Sequence, residues 1–337
     1  MVLSILNFHV DEYMEGVVER HFKEDLNTIR HLVGQLFTEF RPDTQLCVLN
    51  SYTGGMDAMN QDSDGPKPSL DDHNNSKERN RGQPSVDSVL MVLRRFMEHI
   101  LHHPAVLSSP ASLQTKLAFE LQTFLLAHIT LAQDNHRLRA QCNPKGDNSM
   151  LANANSITVA NKSSPMSYRE PGRTFYHWVR STSADHTSCP FSFIFYNCLV
   201  HASLPKSSQM RGGAFGSARM AYLAEDACRH LASLCRMYND LGSVERDADE
   251  HALNSVNFPE FSLHANVKAI TSTVHSDAKT ELLWIAEYER RGLNMAVGLL
   301  EDELAQGKMV GALRLFIDVT DLYGQVYLLK DIGTRTR

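Results

Sequence analysis

The chain has 337 residues, 42% hydrophobic and 21% charged, a composition ordinary for a soluble globular protein and long enough for one large domain or two small ones. A formal charge of −6 and a pI near 6.2 argue against a nucleic-acid surface, which needs a clustered basic field. No run approaches the roughly 18 apolar residues of a membrane span, and residues 1–10, apolar but lacking a basic start or a small-residue cleavage site, do not read as a signal peptide. Six scattered cysteines without a Cys-x-x-Cys pair fit a reduced, cytoplasmic chain with unpaired core thiols.

Helical spacing runs through almost all of the chain. Residues 1–40 place Val10, Tyr13, Met14, Val17 and Val18, then Leu32, Val33, Leu36 and Phe37, at helical intervals, and Arg41-Pro42-Asp43 stops the run. Residues 54–84 hold Gly, Asp, Asn, Ser, Pro and Lys with almost no large apolar side chain, the composition of a flexible polar insertion. Val86, Val89, Leu90, Leu93, Phe96, Met97 and Ile100 predict a helix over 85–103, and Pro110 opens another over 111–139. Residues 141–171 form a second polar insertion. Further helices are predicted over 175–202, 218–246, 265–304 and 309–329, without alternating strand runs, so the class is all-α.

Two acidic segments stand out. Asp11 and Glu15 are four apart, which puts both carboxylates on one helix face with Glu12 beside them. Alone, such a pair is more often a solvated helix face than a metal site. Asn239, Ser243 and Asp247 follow at i, i+4 and i+8, one face drifting by about 80° over two turns. Asn and Ser are poor mid-helix residues because they compete with the backbone. Arg236 and Arg246 border this stripe. Hard oxygen donors suit magnesium, which shares substrate phosphates, and guanidinium pairs with phosphate in bidentate fashion. Spacing alone leaves a purely structural stripe equally open.

The segment from Asn239 to Asp247, Asn-Asp-Leu-x-Ser-x-x-Arg-Asp, resembles the second metal motif of class I terpene synthases. Asp11-Glu12-Tyr13-Met14-Glu15 resembles the fungal diterpene cyclase version of their aspartate-rich motif. Tyr176-His177-Trp178-Val179-Arg180, Ala184-Asp185-His186-Thr187-Ser188-Cys189-Pro190-Phe191 and Leu253-Asn254-Ser255-Val256-Asn257-Phe258-Pro259-Glu260-Phe261 resemble the C-terminal region of fungal bifunctional copalyl diphosphate/kaurene synthases and their aphidicolanol- and pimaradiene-forming relatives. The resemblance implies a class I terpenoid synthase α-helical bundle that ionises a diterpenyl diphosphate, copalyl diphosphate, and cyclises it to a kaurene-like product. It implies Mg²⁺ held by Asp11 and Glu15 on one side and by Asn239, Ser243 and Asp247 on the other. It assigns Arg236 and Arg246 to the diphosphate. Metals and arginines there neutralise the departing anion. It also places Phe191, Phe193, Phe195 and Tyr196 on a broken helix beside the reacting carbons, with Pro190 and Ser192 supplying the break. Phe316, Tyr323 and Tyr327 are further cavity candidates. His177, Asp185 and His186 invite an acid/base or metal reading, although core packing is the commoner use of such histidines and aromatics.

The sequence departs from the family pattern in several places. The first motif has Glu at its second and last positions, and the second ends in Asp. The two motifs stand further apart than in the family unless both polar insertions are discounted, and long surface inserts cost little. No Asp-x-Asp-Asp motif is present, so the class II step that makes copalyl diphosphate is not expected of this chain. In the family, helices precede the aspartate-rich one. The expectation is therefore an N-terminally truncated bundle, residues 1–337 forming a partial domain, with upstream class II domains on another chain or missing from this one. A non-catalytic helical remnant, or one completed by a partner chain, is the rival reading. A trans-prenyltransferase would carry two Asp-rich motifs, and the Asn/Ser stripe argues against it.

Overall fold

The computed structural model describes residues 26–39, 86–142, 167–204, 215–262, 271–304 and 308–329. Among them every regular element is a helix: α1 (Leu26–Glu39), α2 (Val86–Leu101), α3 (Pro104–Leu107), α4 (Ala111–Cys142), α5 (Phe175–Arg180), α6 (Thr182–His186), α7 (Cys189–Ser203), α8 (Ala218–Glu250), α9 (Thr271–Leu304) and α10 (Lys308–Leu329), with 3-10 turns at Ser255–Asn257 and Pro259–Phe261. The all-α class is as expected. None of these helices is long and apolar enough to cross a membrane. Asp11 and Glu15, and the polar insertion at 54–84, lie outside the described residues. So do residues 143–166 of the second insertion. Of its described ends, only Tyr168 is buried. Residues 141 and 142 close α4, and the Tyr168 ring is fully buried, with its hydroxyl on Asp134 and its N–H donating to the Asn257 carbonyl.

Two long helices organise the bundle. In α4, Leu113, Leu117, Leu121, Phe124, Leu125, His128, Leu131 and Leu138 make one buried stripe at three- and four-residue steps, which packs on α1, α6 and α7. Helix α8 is buried on most of its circumference, with α9 and α10 along one side and α5, α6 and α7 on the other. Glycine sets the close crossings. A Cβ at Gly242 would lie 2.1 Å from the Tyr327 carbonyl oxygen, so α10 meets α8 at backbone distance. A Cβ at Gly292 would lie 2.3 Å from the His230 ring. That ring, with Arg180, holds the buried Glu289 carboxylate (Arg180 Nη2 at 2.8 Å), joining α5, α8 and α9.

The helix predicted over 175–202 is three pieces. Ser181 leaves helical backbone (φ −120°, ψ −103°) with its Oγ donating to the His177 carbonyl, and Thr187 Oγ1 donates to the Ala184 carbonyl. Short hydroxyl side chains offer the backbone local alternatives to the helix. Ser188 then takes φ +61°, a left-handed conformation uncommon outside glycine and asparagine. The breaks therefore fall upstream of Pro190, which sits in the first turn of α7, where proline is tolerated.

Candidate metal and diphosphate site

Ser217 caps the start of α8 by accepting the Met220 N–H, and His251 ends the helix at φ +53°, with the Ala252 N–H returning to the Asp247 carbonyl. Arg139 of α4 donates to the carbonyls of Glu250 and His251 and so covers the negative end of the helix dipole. The chain then folds back along α8. The Leu253 N–H donates to Asn135 Oδ1, and Phe258 and Phe261 lodge against Phe175 and Trp178. This return segment covers the polar face of α8.

Under it lies a buried seam. Asp240 accepts from the Ser255 N–H and Oγ at 2.9 and 2.6 Å, and Arg236 Nε lies 2.7 Å from its other oxygen. Asp247 Oδ2 accepts from Ser243 Oγ at 2.6 Å and from Asn254 Nδ2 at 2.8 Å, while Arg246 stands 3.4 Å from Oδ1. Asn254 also donates to the Asp240 carbonyl. The two carboxylates differ in compensation. Asp240 has a guanidinium; Asp247 has mostly neutral donors. Burial, and then the charge of Asp240, push the Asp247 carboxyl up from 3.8 to about 6.

The structure brings Ser243 and Asp247 together and sets Asn239, half-buried, one turn earlier on the same helix. It turns Arg236 inward. Expected at the diphosphate, this side chain instead donates from Nη2 to the Leu253 carbonyl, stacks 5.1 Å over the Trp178 ring and is only 8% exposed. A buried guanidinium takes the nearest carboxylate, here one turn away at Asp240. Arg246 remains at the half-exposed margin of the seam. Asp240, Asn254 and Ser255 are constituents the spacing argument left unassigned. The signal for them was the i, i+4 Arg236–Asp240 pair and the Asn-Ser run just past the helix end.

The donor chemistry fits magnesium. Asn239, Ser243 and Asp247 offer only oxygen, and a desolvated carboxylate short of positive charge is stabilised by a cation. Among the described residues no three His, Cys, Asp or Glu side chains gather as a metal cluster, so a cation held here would depend on this mixed set and on oxygen ligands from outside the chain.

The four expected cavity aromatics do not share one centre. Phe191 packs between Phe96 and Phe124, centroids 6.3 and 4.8 Å away; Phe195 meets the His103 ring; Phe193 and Tyr196 lie against Phe316 of α10. Helix α7 is apolar on nearly all sides, so its aromatics point into every neighbour. Tyr323 is 47% exposed, and Tyr327 approaches α8 through its backbone. His177 is exposed, Asp185 pairs with Arg229, and His186 is buried against His128.

Comparison with known proteins gives one consistent group. The chain is 35% identical to the pimaradiene synthase of Emericella nidulans over 98% of its own length, and 32% identical to the ent-kaur-16-ene synthase of Fusarium fujikuroi over 99%. It is 29% identical to the phyllocladan-16-alpha-ol synthase of Phomopsis amygdali over its whole length. The chain spans 31% of the length of each of these relatives. No family model matches it, and no solved structure does.

Proposed function

We propose, for a chain that belongs among the homologues of the fungal diterpene synthases, that it forms part of a class I diterpene cyclase, ionising copalyl diphosphate and closing the cation to a kaurene-like skeleton with loss of diphosphate. The observation that carries this reading is the seam on α8, where the hydrogen-bonded oxygens of Ser243 and Asp247 are buried with little positive charge to offset the carboxylate, and Asn239 sits on the adjoining turn. Magnesium would supply Lewis-acid stabilisation of the leaving diphosphate. Asn239, Ser243 and Asp247 would hold it, joined by Asp11 and Glu15 from the first motif. Arg246, at the margin of the seam, would meet the diphosphate itself. Arg236 acts one step behind, fixing Asp240 and the return segment that positions Asn254 on Asp247.

A second reading, a helical remnant that needs a partner chain, is favoured by the outer faces of α9 and α10. Trp284, Tyr288, Met295 and Leu299 on the one, and Leu315, Leu322 and Leu329 on the other, are exposed.

The test is incubation of the purified chain with magnesium and, separately, geranylgeranyl and copalyl diphosphate, followed by hydrocarbon analysis. Product from copalyl diphosphate alone supports the class I reading. No product from either, with aggregation, sinks the claim that the chain acts alone. Asn239→Ala is expected to abolish turnover while leaving the helical circular dichroism intact; unchanged turnover removes Asn239 from the site.

A further inference from the structure

The interrupted segment α5–α6 concentrates buried polar atoms without partners. Trp178 Nε1, Ser183 Oγ and His186 Nε2 are all shielded from solvent and make no hydrogen bond. An unmade bond at a buried polar atom costs about 1–3 kcal/mol, and native interiors rarely leave several together. His186 is the chemically potent member. It ends α6, immediately before Thr187 and the left-handed Ser188. Its ring lies edge-on to His128 at 4.2 Å. His128 in turn meets Phe124 at 4.7 Å, and Phe124 meets Phe191. Burial, then His128, then the positive charge of Arg236 hold the basicity of His186 well below the usual imidazole value. His186 thus touches the aromatic cluster through His128 and lies within electrostatic reach of Arg236 in the polar seam of α8.

We propose that His186 Nε2 is the base that takes the proton from the last carbocation of the cyclisation. The inference rests on the cyclase reading above. An olefin forms only when a C–H bond beside the cationic carbon breaks. Its electron pair becomes the new C=C bond, and the proton passes to the Nε2 lone pair of the Nδ1–H tautomer, giving an imidazolium that returns the proton to the released diphosphate or to water. A neutral imidazole in a dry aromatic setting accepts that proton without supplying the water that would capture the cation as an alcohol. Burial keeps His186 neutral, so the lone pair is available before the reaction begins.

The test compares the full chain with His186→Ala and His186→Gln on copalyl diphosphate and magnesium, reading inorganic diphosphate release and the product spectrum separately. The expected result is diphosphate release within about tenfold of wild type. The terminal olefin should fall about a hundredfold, the low end of general-base effects, replaced by alcohols or by earlier-terminated olefins. Added imidazole should restore the olefin in His186→Ala. If that variant does not fold, His186→Gln decides on the product spectrum alone. An unchanged spectrum overturns the proposal, as does a parallel loss of diphosphate release and olefin without imidazole rescue, the mark of a packing role. A wild-type chain that releases no diphosphate overturns the cyclase reading and this inference with it; wild-type turnover with indifferent variants overturns this inference only.

Discussion

Replacing Asp247 with asparagine removes one charge and leaves the hydrogen bonds of the seam in place. The carboxyl, at about 6 instead of 3.8 because of burial and then Asp240, is ionised at pH 7.5 against the preference of its surroundings. A carboxyl whose folded value lies above its unfolded one favours folding when protonated. That contribution is complete below about pH 4 and is lost as pH rises through about 6. At about 1.4 kcal/mol per tenfold change in acidity, ionisation costs the fold roughly 3 kcal/mol at pH 7.5. Asparagine keeps an oxygen for Ser243 Oγ and Asn254 Nδ2. It gives up the 3.4 Å approach of Arg246, a partly exposed pair worth less than about 1 kcal/mol. The net gain of about 2 kcal/mol corresponds to a rise in Tm of roughly 5 °C for a large domain. The assay is thermal melting in EDTA, then in magnesium, at pH 7.5 and pH 4. Asp247→Asn is expected to melt higher than wild type in EDTA at pH 7.5, to lose that advantage at pH 4, and to gain nothing from magnesium while wild type does. A variant that melts below wild type in EDTA at pH 7.5 would refute the reasoning, because the charge would then be compensated by the protein itself. A gap that persists at pH 4 would refute ionisation as its cause.

Gly242→Ala is expected to destabilise the fold by about 1–3 kcal/mol in urea titration, since its Cβ meets the Tyr327 carbonyl at 2.1 Å and backbone cannot rotate away as a side chain would. Glu289→Gln strands Arg180 and His230 and is expected to cost about 3–5 kcal/mol. Burial pushes the Glu289 carboxyl up, but hydrogen bonds from His230 and Arg180 outweigh it and hold it below its usual 4.5. Its contribution is therefore present above that value and lost as pH falls through the lower folded value, so wild type should lose stability there while the glutamine variant stays flat. His251→Gly relieves a left-handed backbone angle of +53° at the end of α8, and a gain of about 0.5–1 kcal/mol in denaturant midpoint analysis is expected.

The helices were legible because burial imposes its period on the sequence. In α4 the apolar residues from Leu113 to Leu138 fall on one stripe, whereas α8, packed on both sides, is buried over most of its circumference between Ala224 and Val244. The breaks around α6 were less legible. Residues 175–202 keep helical spacing across them, and what ends the helix is hydroxyl-to-carbonyl bonding at Ser181 and Thr187, which pattern does not register. The neighbours of the α7 aromatics were not legible for a related reason. Phe191 and Phe195 are four apart and Phe193 and Tyr196 three apart, so on a helix they make two faces, and only tertiary packing says which neighbour each one finds. The polar seam was half legible. Ser243 and Asp247 meet as i, i+4 geometry requires. Asn254 and Ser255 come from beyond the helix end and reach the seam only because His251 reverses the chain.

Asp240 and Asp247 lie in one seam and differ mainly in which partner each has. The guanidinium one turn before Asp240 neutralises it, and the Ser255 N–H and hydroxyl complete its shell. It is a structural carboxylate that anchors the return segment. That segment then delivers Asn254 to Asp247, which receives amide and hydroxyl hydrogens but little positive charge. Holding Arg236 inward thus has two effects: it makes the wall rigid, and it leaves Asp247 as the group most in need of a cation. If Arg236 swung out to an anion, Asp240 would be left uncompensated in the core, and losing one partner of a buried pair costs about 3–5 kcal/mol. Arg246, already at the half-exposed edge of the seam and 3.4 Å from Asp247, faces no such penalty, which is the physical ground for giving it, and not Arg236, the diphosphate in the proposed function.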